Sequence, residues 1–71
     1  MDSNLVKIQV NGQQREIPLG LTVSGLIEHL ELNPNVVAVE VNLEIIPRES
    51  HDLHPVEEGD RLEIVSLVGG G

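Results

Sequence analysis

Seventy-one residues without a cysteine or an aromatic, at a formal charge of −8, exclude more than they admit. The length suffices for one domain burying roughly 60% of its unfolded surface, and the core must be aliphatic, because 26 residues are Leu, Ile or Val. Disulfides, thiolate metal sites and cysteine nucleophiles are ruled out, and twelve acidic residues against Lys7, Arg15, Arg48 and Arg61, with no ring for base stacking, argue against nucleic acid.

No apolar stretch approaches the ~20 residues of a membrane span. Met1-Asp2-Ser3-Asn4 carries no basic or apolar leader, so a cytoplasmic protein with no membrane partner is expected. The acidic balance serves solubility in the plainest account, and steering onto a basic partner in the functional one.

Residues 5–10 alternate, with Val6, Ile8 and Val10 on one face and Lys7 and Gln9 on the other, the period of a half-buried strand. Asn11-Gly12 is a strong hairpin signal. Arg15-Glu16-Ile17-Pro18 returns as a second strand, with Pro18 suited to its end or edge. Thr22 is placed to cap a helix in which Val23, Leu26, Ile27 and Leu30 form one apolar stripe. Gly25 inside it costs about 1 kcal/mol relative to Ala, which close packing against a sheet would explain. Asn33-Pro34-Asn35 is expected to end the helix.

Val37, Val39 and Val41 alternate with Ala38, Glu40 and Asn42 as a third strand. A turn near Asn42-Leu43-Glu44, of a type the residues leave open, leads to a short strand at Ile45-Ile46 stopped by Pro47. Residues 49–58 read as a polar loop with one helical turn, anchored by Leu53 and Val56, and residues 61–68 as the last strand. Hairpin, helix, two strands, loop and strand describe an α+β domain, one helix packed across a small mixed sheet with its first and last strands side by side in parallel. This is the ubiquitin-like β-grasp arrangement, expected over residues 1–68, with 69–71 as a C-terminal glycine tail.

Three groups of residues bear on function. His51-Asp52-Leu53-His54 fits no specific ligand spacing, and a solvated loop accounts for it; His29 lies on a polar helix face. Glu57, Glu58 and Asp60 around Gly59 read as a turn entering a strand. Without a cleft for acid–base work, neither group suggests an enzyme or a metal site. In the last strand Leu62 and Ile64 face the core, which places Val65 and Leu67 on the opposite face. Either that end twists or is covered by residues 49–58, or Val65 and Leu67 form a partner-binding patch.

Gly69, Gly70 and Gly71 follow. Three extended residues reach about 10 Å, and a backbone without Cβ threads a narrow channel in any conformation required. Such a tail presents a terminal carboxylate to another protein's active site. A carboxylate is a poor electrophile until adenylation supplies a leaving group, so Gly71 is the expected reactive residue and the fold its handle.

With these features in order, the chain resembles the ThiS family, the sulfur carriers of thiamin biosynthesis. The resemblance rests on Val6-Lys7-Ile8-Gln9-Val10-Asn11-Gly12, Leu21-Thr22-Val23 before Leu26-Ile27, and Val37-Ala38-Val39-Glu40-Val41-Asn42. Ile46-Pro47-Arg48-Glu49, Glu58-Gly59-Asp60-Arg61-Leu62-Glu63-Ile64 and the terminal glycines complete it. It departs from the family at Asn42-Leu43, where Asn-Gly or similar is frequent. The resemblance implies a substrate protein rather than an enzyme, with no bound cofactor. A ThiF-like adenylyltransferase would use ATP to activate Gly71, a sulfur donor such as a cysteine desulfurase would supply a persulfide, and the Gly71 thiocarboxylate would pass sulfur to thiazole synthase (ThiG). Gly69 and Gly70 complete the arm, and Arg48 matches the family's Pro-Arg motif without an evident chemical role. The alternatives are a carrier like the small subunit of molybdopterin synthase, a ubiquitin-like protein modifier, and an interaction module in which the glycines do nothing.

Overall fold

A computed structural model describes residues 4–67. Strand β1 (Leu5–Val10) turns at Asn11-Gly12 into β2 (Gln13–Pro18); helix α1 (Val23–His29) follows, then β3 (Val37–Val41), β4 (Glu44–Ile46), a 3-10 turn (Arg48–Ser50) and β5 (Arg61–Ser66). The sheet order is β2-β1-β5-β3-β4. All neighbours are antiparallel except β1 and β5, which run parallel with Gln9 opposite Arg61 and Val10 opposite Leu62. This is the expected β-grasp order, with the last strand at the centre. The expected strand over residues 61–68 is observed as Arg61–Ser66; Val68 and the glycines 69–71 lie outside the described residues.

Fourteen buried aliphatics form the core, drawn from every strand, from α1 and from Val56. The alternation of Val6, Ile8 and Val10 holds, as does that of Val37, Val39 and Val41. A seven-residue helix is too short to persist alone in water. Its stability comes from Val23, Leu26 and Ile27, each fully buried and each contributing about 1.5–3 kcal/mol. Among the described residues no helix is long and apolar enough to cross a membrane.

The helix starts as the sequence suggests and stops earlier. Thr22 Oγ1 accepts from the Gly25 amide at 3.2 Å. At the other end Glu31 takes φ +61, its amide donates to the Glu28 carbonyl, and the Leu32 amide donates to the Ile27 carbonyl at 3.0 Å. This Schellman pattern satisfies the last carbonyls before Pro34 is reached. Gly25 is explained locally rather than by the sheet: a Cβ there would lie 3.2 Å from Leu21 Cδ2 and 3.8 Å from the capping hydroxyl of Thr22.

Two further expectations are corrected. Leu53 is no anchor, being 80% exposed, whereas Val56 is buried. Nor is the segment from His51 to His54 simply solvated, since His51 is only 5% exposed. Its Nε2 lies 3.0 Å from the Ile46 carbonyl, which only accepts, so Nε2 carries the hydrogen. The His51 and His54 carbonyls accept from the Ser24 and Val23 amides at 3.0 and 2.9 Å. The loop thus closes the N-terminus of α1, whose first amides have no partner within the helix.

Candidate functional site

The chemistry expected at the C-terminal glycines depends on where β5 delivers them. Both hairpins hold this strand by the same device. At the β1–β2 turn Asn11 and Gly12 have φ +52 and +83, and at the β3–β4 turn Asn42 and Leu43 have φ +51 and +72. Positive φ at both positions of a two-residue loop is the type I′ turn, whose twist matches the flanking strands. That settles the turn type at Asn42-Leu43 and leaves a leucine in a left-handed conformation.

The parallel β1–β5 ladder has its last backbone bond between the Asn11 amide and the Leu62 carbonyl, at 2.9 Å, because β1 then turns away. The Asn11 side chain continues it. Its Oδ1 accepts from the Ile64 amide at 2.8 Å and its Nδ2 donates to the Ile64 carbonyl at 3.0 Å. A side-chain amide thereby stands in for a peptide group. On the other flank Asn42 Oδ1 accepts from the Arg61 amide at 3.0 Å, and its Nδ2 donates to Asp60 at 3.0 Å.

Beyond Ile64 the strand is held from the β3 side, where Val37 pairs with Ser66 and the Leu67 amide donates to the Val36 carbonyl at 2.6 Å. Residues 68–71 follow in the sequence. The carbonyl before Val36 is also secured, since the Arg48 guanidinium donates to the Asn35 carbonyl at 2.7 Å.

Val65 and Leu67 are 53% and 63% exposed, so neither a twist nor the 49–58 loop covers them. Val65 lies opposite Ala38 on the sheet face away from the helix, and in the next row Glu63 and Ile45 flank Glu40. Ala38, Glu40, Ile45, Glu63 and Val65 line a shallow groove of about 230 Å³. The result is an apolar strip with two carboxylates beside it, at the end of the sheet from which the chain leaves. A larger groove of about 470 Å³ lies on the helix side of the same end, between Arg15, His29, Leu32 and Ser66. Among the described residues no group of acidic residues and histidines is placed to hold a metal ion. The sequence pattern located Val65 and Leu67; it could not show Asn11 or Arg48, whose partners are backbone groups far along the chain.

A five-stranded β-grasp whose central strand runs toward a glycine terminus is the architecture of the ubiquitin-like carrier proteins. The sequence profile of the ThiS family matches residues 8–71. The sulfur carrier protein ThiS of Escherichia coli is 32% identical over 66 residues, covering 93% of this chain and all of that protein. The crystal structure of a thiamine biosynthesis protein (ThiS) from Geobacter metallireducens superposes with a TM-score of 0.81 at 32% identity, over 93% of this chain and all of the other. The chain belongs to the ThiS family. It is also 42% identical over 66 residues to a thiazole synthase of Paramagnetospirillum magneticum and 35% identical to one of Magnetococcus marinus. The chain spans a fifth of the length of each of these two.

Proposed function

We propose that this chain is a sulfur carrier of thiamin biosynthesis, with Gly71 as the residue that bears the sulfur. The observation that carries the proposal is a ThiS-family match running through residue 71 of a chain whose central strand leads to those glycines. In the first step a Gly71 carboxylate oxygen attacks the α-phosphate of ATP on a ThiF-like adenylyltransferase, and pyrophosphate leaves. A persulfide sulfur, from a donor such as a cysteine desulfurase, then attacks the acyl carbon and AMP departs. Thiol cleavage of the resulting acyl disulfide leaves the thiocarboxylate, which thiazole synthase consumes. The carrier is a substrate in each step and itself binds no cofactor. Relatives named thiazole synthase favour this branch over the molybdopterin one.

Gly69 and Gly70 extend the reach of the carboxylate, and Val65 and Leu67, with Ala38 and Ile45 beside them, form the surface on which the adenylyltransferase docks. Glu40 and Glu63 at that strip, on a chain of net charge −8, call for a basic rim on the enzyme. Intact-mass analysis after incubation with the adenylyltransferase, ATP and a persulfide source tests the reading. The expected product is heavier by the difference between sulfur and oxygen, and lost in a chain lacking Gly70 and Gly71. An unchanged mass, with thiamin-independent growth of cells carrying the truncated chain, refutes it.

A further inference from the structure

We propose that Arg48 is a positioning residue for the C-terminal arm, acting through the backbone of residues 35 and 36; the proposal rests on the carrier reading for its kinetic consequence and on geometry for the coupling itself. Arg48 opens the 3-10 turn after β4 and donates to the Asn35 carbonyl at 2.7 Å. Hydrogen bonds from an ionised donor are among the stronger ones on a protein surface. The carbonyl it holds belongs to the peptide linking Asn35 to Val36, in a turn closed by Asn33, whose Oδ1 accepts from the Asn35 amide at 2.9 Å. The next carbonyl, that of Val36, receives the Leu67 amide at 2.6 Å.

A continuous path therefore runs from the Arg48 guanidinium through two successive peptide planes, joined at the Val36 Cα, to the base of the arm. On the β1 side the Asn11 clamp ends at Ile64. Arg48 thus fixes the peptide beside the acceptor of Leu67, three residues further along the strand. Holding that base still fixes Leu67, the point from which the sequence continues to Gly71, and positioning of a reacting group is what an active site rewards. A residue working this way alters the productive fraction of bound complexes, which is read in kcat, and leaves KM, set by docking through Val65, Ala38 and Ile45, unchanged.

The test uses full-length chain with Arg48→Met, which keeps the stem and removes the donors, and Arg48→Lys, which restores one. Arg48 is exposed, so neither change disturbs the core. In the Met variant the Leu67 amide is expected to exchange with solvent about three- to tenfold faster, the equilibrium weight of one surface hydrogen bond, while Ile64 and Val39 stay as in wild type. In ATP-dependent adenylation by the ThiF-like enzyme, kcat falls by a similar factor at constant KM, and the Lys variant recovers part of both effects. Unchanged exchange at Leu67, or a uniform rise at all three amides, overturns the coupling. A wild-type kcat, or a rise in KM alone, overturns the positioning role, the latter by placing Arg48 in the docking contact. If wild-type chain is never adenylated, the carrier reading fails by itself, and the exchange measurement still decides the coupling.

Discussion

Replacing Asn11 with glycine isolates the side-chain clamp on β5 from the turn that carries it. Glycine accepts the φ of +52 at position 11, so a Gly-Gly pair keeps the type I′ hairpin. What is lost is the pair of bonds to the Ile64 amide and carbonyl, at 2.8 and 3.0 Å in a partly buried site. At about 1 kcal/mol each, with roughly 0.5–1 kcal/mol more for glycine's greater unfolded-state freedom, the loss comes to roughly 2–3 kcal/mol. In a domain of this size that lowers Tm by roughly 10–20 °C. The absence of tryptophan and tyrosine excludes intrinsic fluorescence, so far-UV circular dichroism in urea and on heating is the assay. Asn11→Asp is the informative companion: it keeps the acceptor for the Ile64 amide but faces the carbonyl with a second acceptor, and should recover no more than half of the loss. A glycine variant within about 0.5 kcal/mol of wild type would refute the reasoning, because water would then serve Ile64 as well as the side chain does.

Leu43 is 92% exposed at φ +72, so Leu43→Gly relieves left-handed strain at no cost in packing and should raise stability by roughly 0.5–1 kcal/mol in urea titrations. His51→Ala removes the ring from a buried site and leaves the Ile46 carbonyl without that donor; a loss of roughly 2 kcal/mol is expected by the same method. Val65→Asp, in the central strand beside Glu63, should lower stability by roughly 1–2 kcal/mol, which leaves the domain folded, yet raise KM for adenylation about tenfold. That contrasts with the kcat effect expected at Arg48, and an unchanged KM would remove Val65 from the docking surface.

Periodicity carried the fold because the core is built from it. Val6, Ile8 and Val10 in one strand, and Val23, Leu26 and Ile27 in the helix, are buried as their spacing requires. The parallel pairing of β1 with β5 followed from giving each apolar face a partner. What the pattern hid are contacts whose acceptor or donor is main chain. Asn11 and Asn42 read as turn residues, yet each also extends the ladder of a strand that is distant in sequence. Arg48 meets a carbonyl, which no side-chain motif marks. The polar composition of residues 51–54 concealed the burial of His51, and Glu31 in a left-handed cap ended the helix before the proline that was expected to do so. In the candidate site Val65 and Leu67 were legible as aliphatics on the wrong face, and their exposure needed the structure.

The sheet order β2-β1-β5-β3-β4 has a consequence for synthesis. A ribosome makes this domain as two hairpins with a helix between them, and the strand that joins them comes last. Until residues 61–66 emerge, Val10 and Val41 have no common neighbour in Leu62, and the nascent chain holds two half-sheets, neither with a complete apolar partner. Completion of the fold and arrival of the glycines are therefore nearly simultaneous. On the proposed carrier reading, a chain stopped before residue 61 would present neither the closed fold nor Gly71.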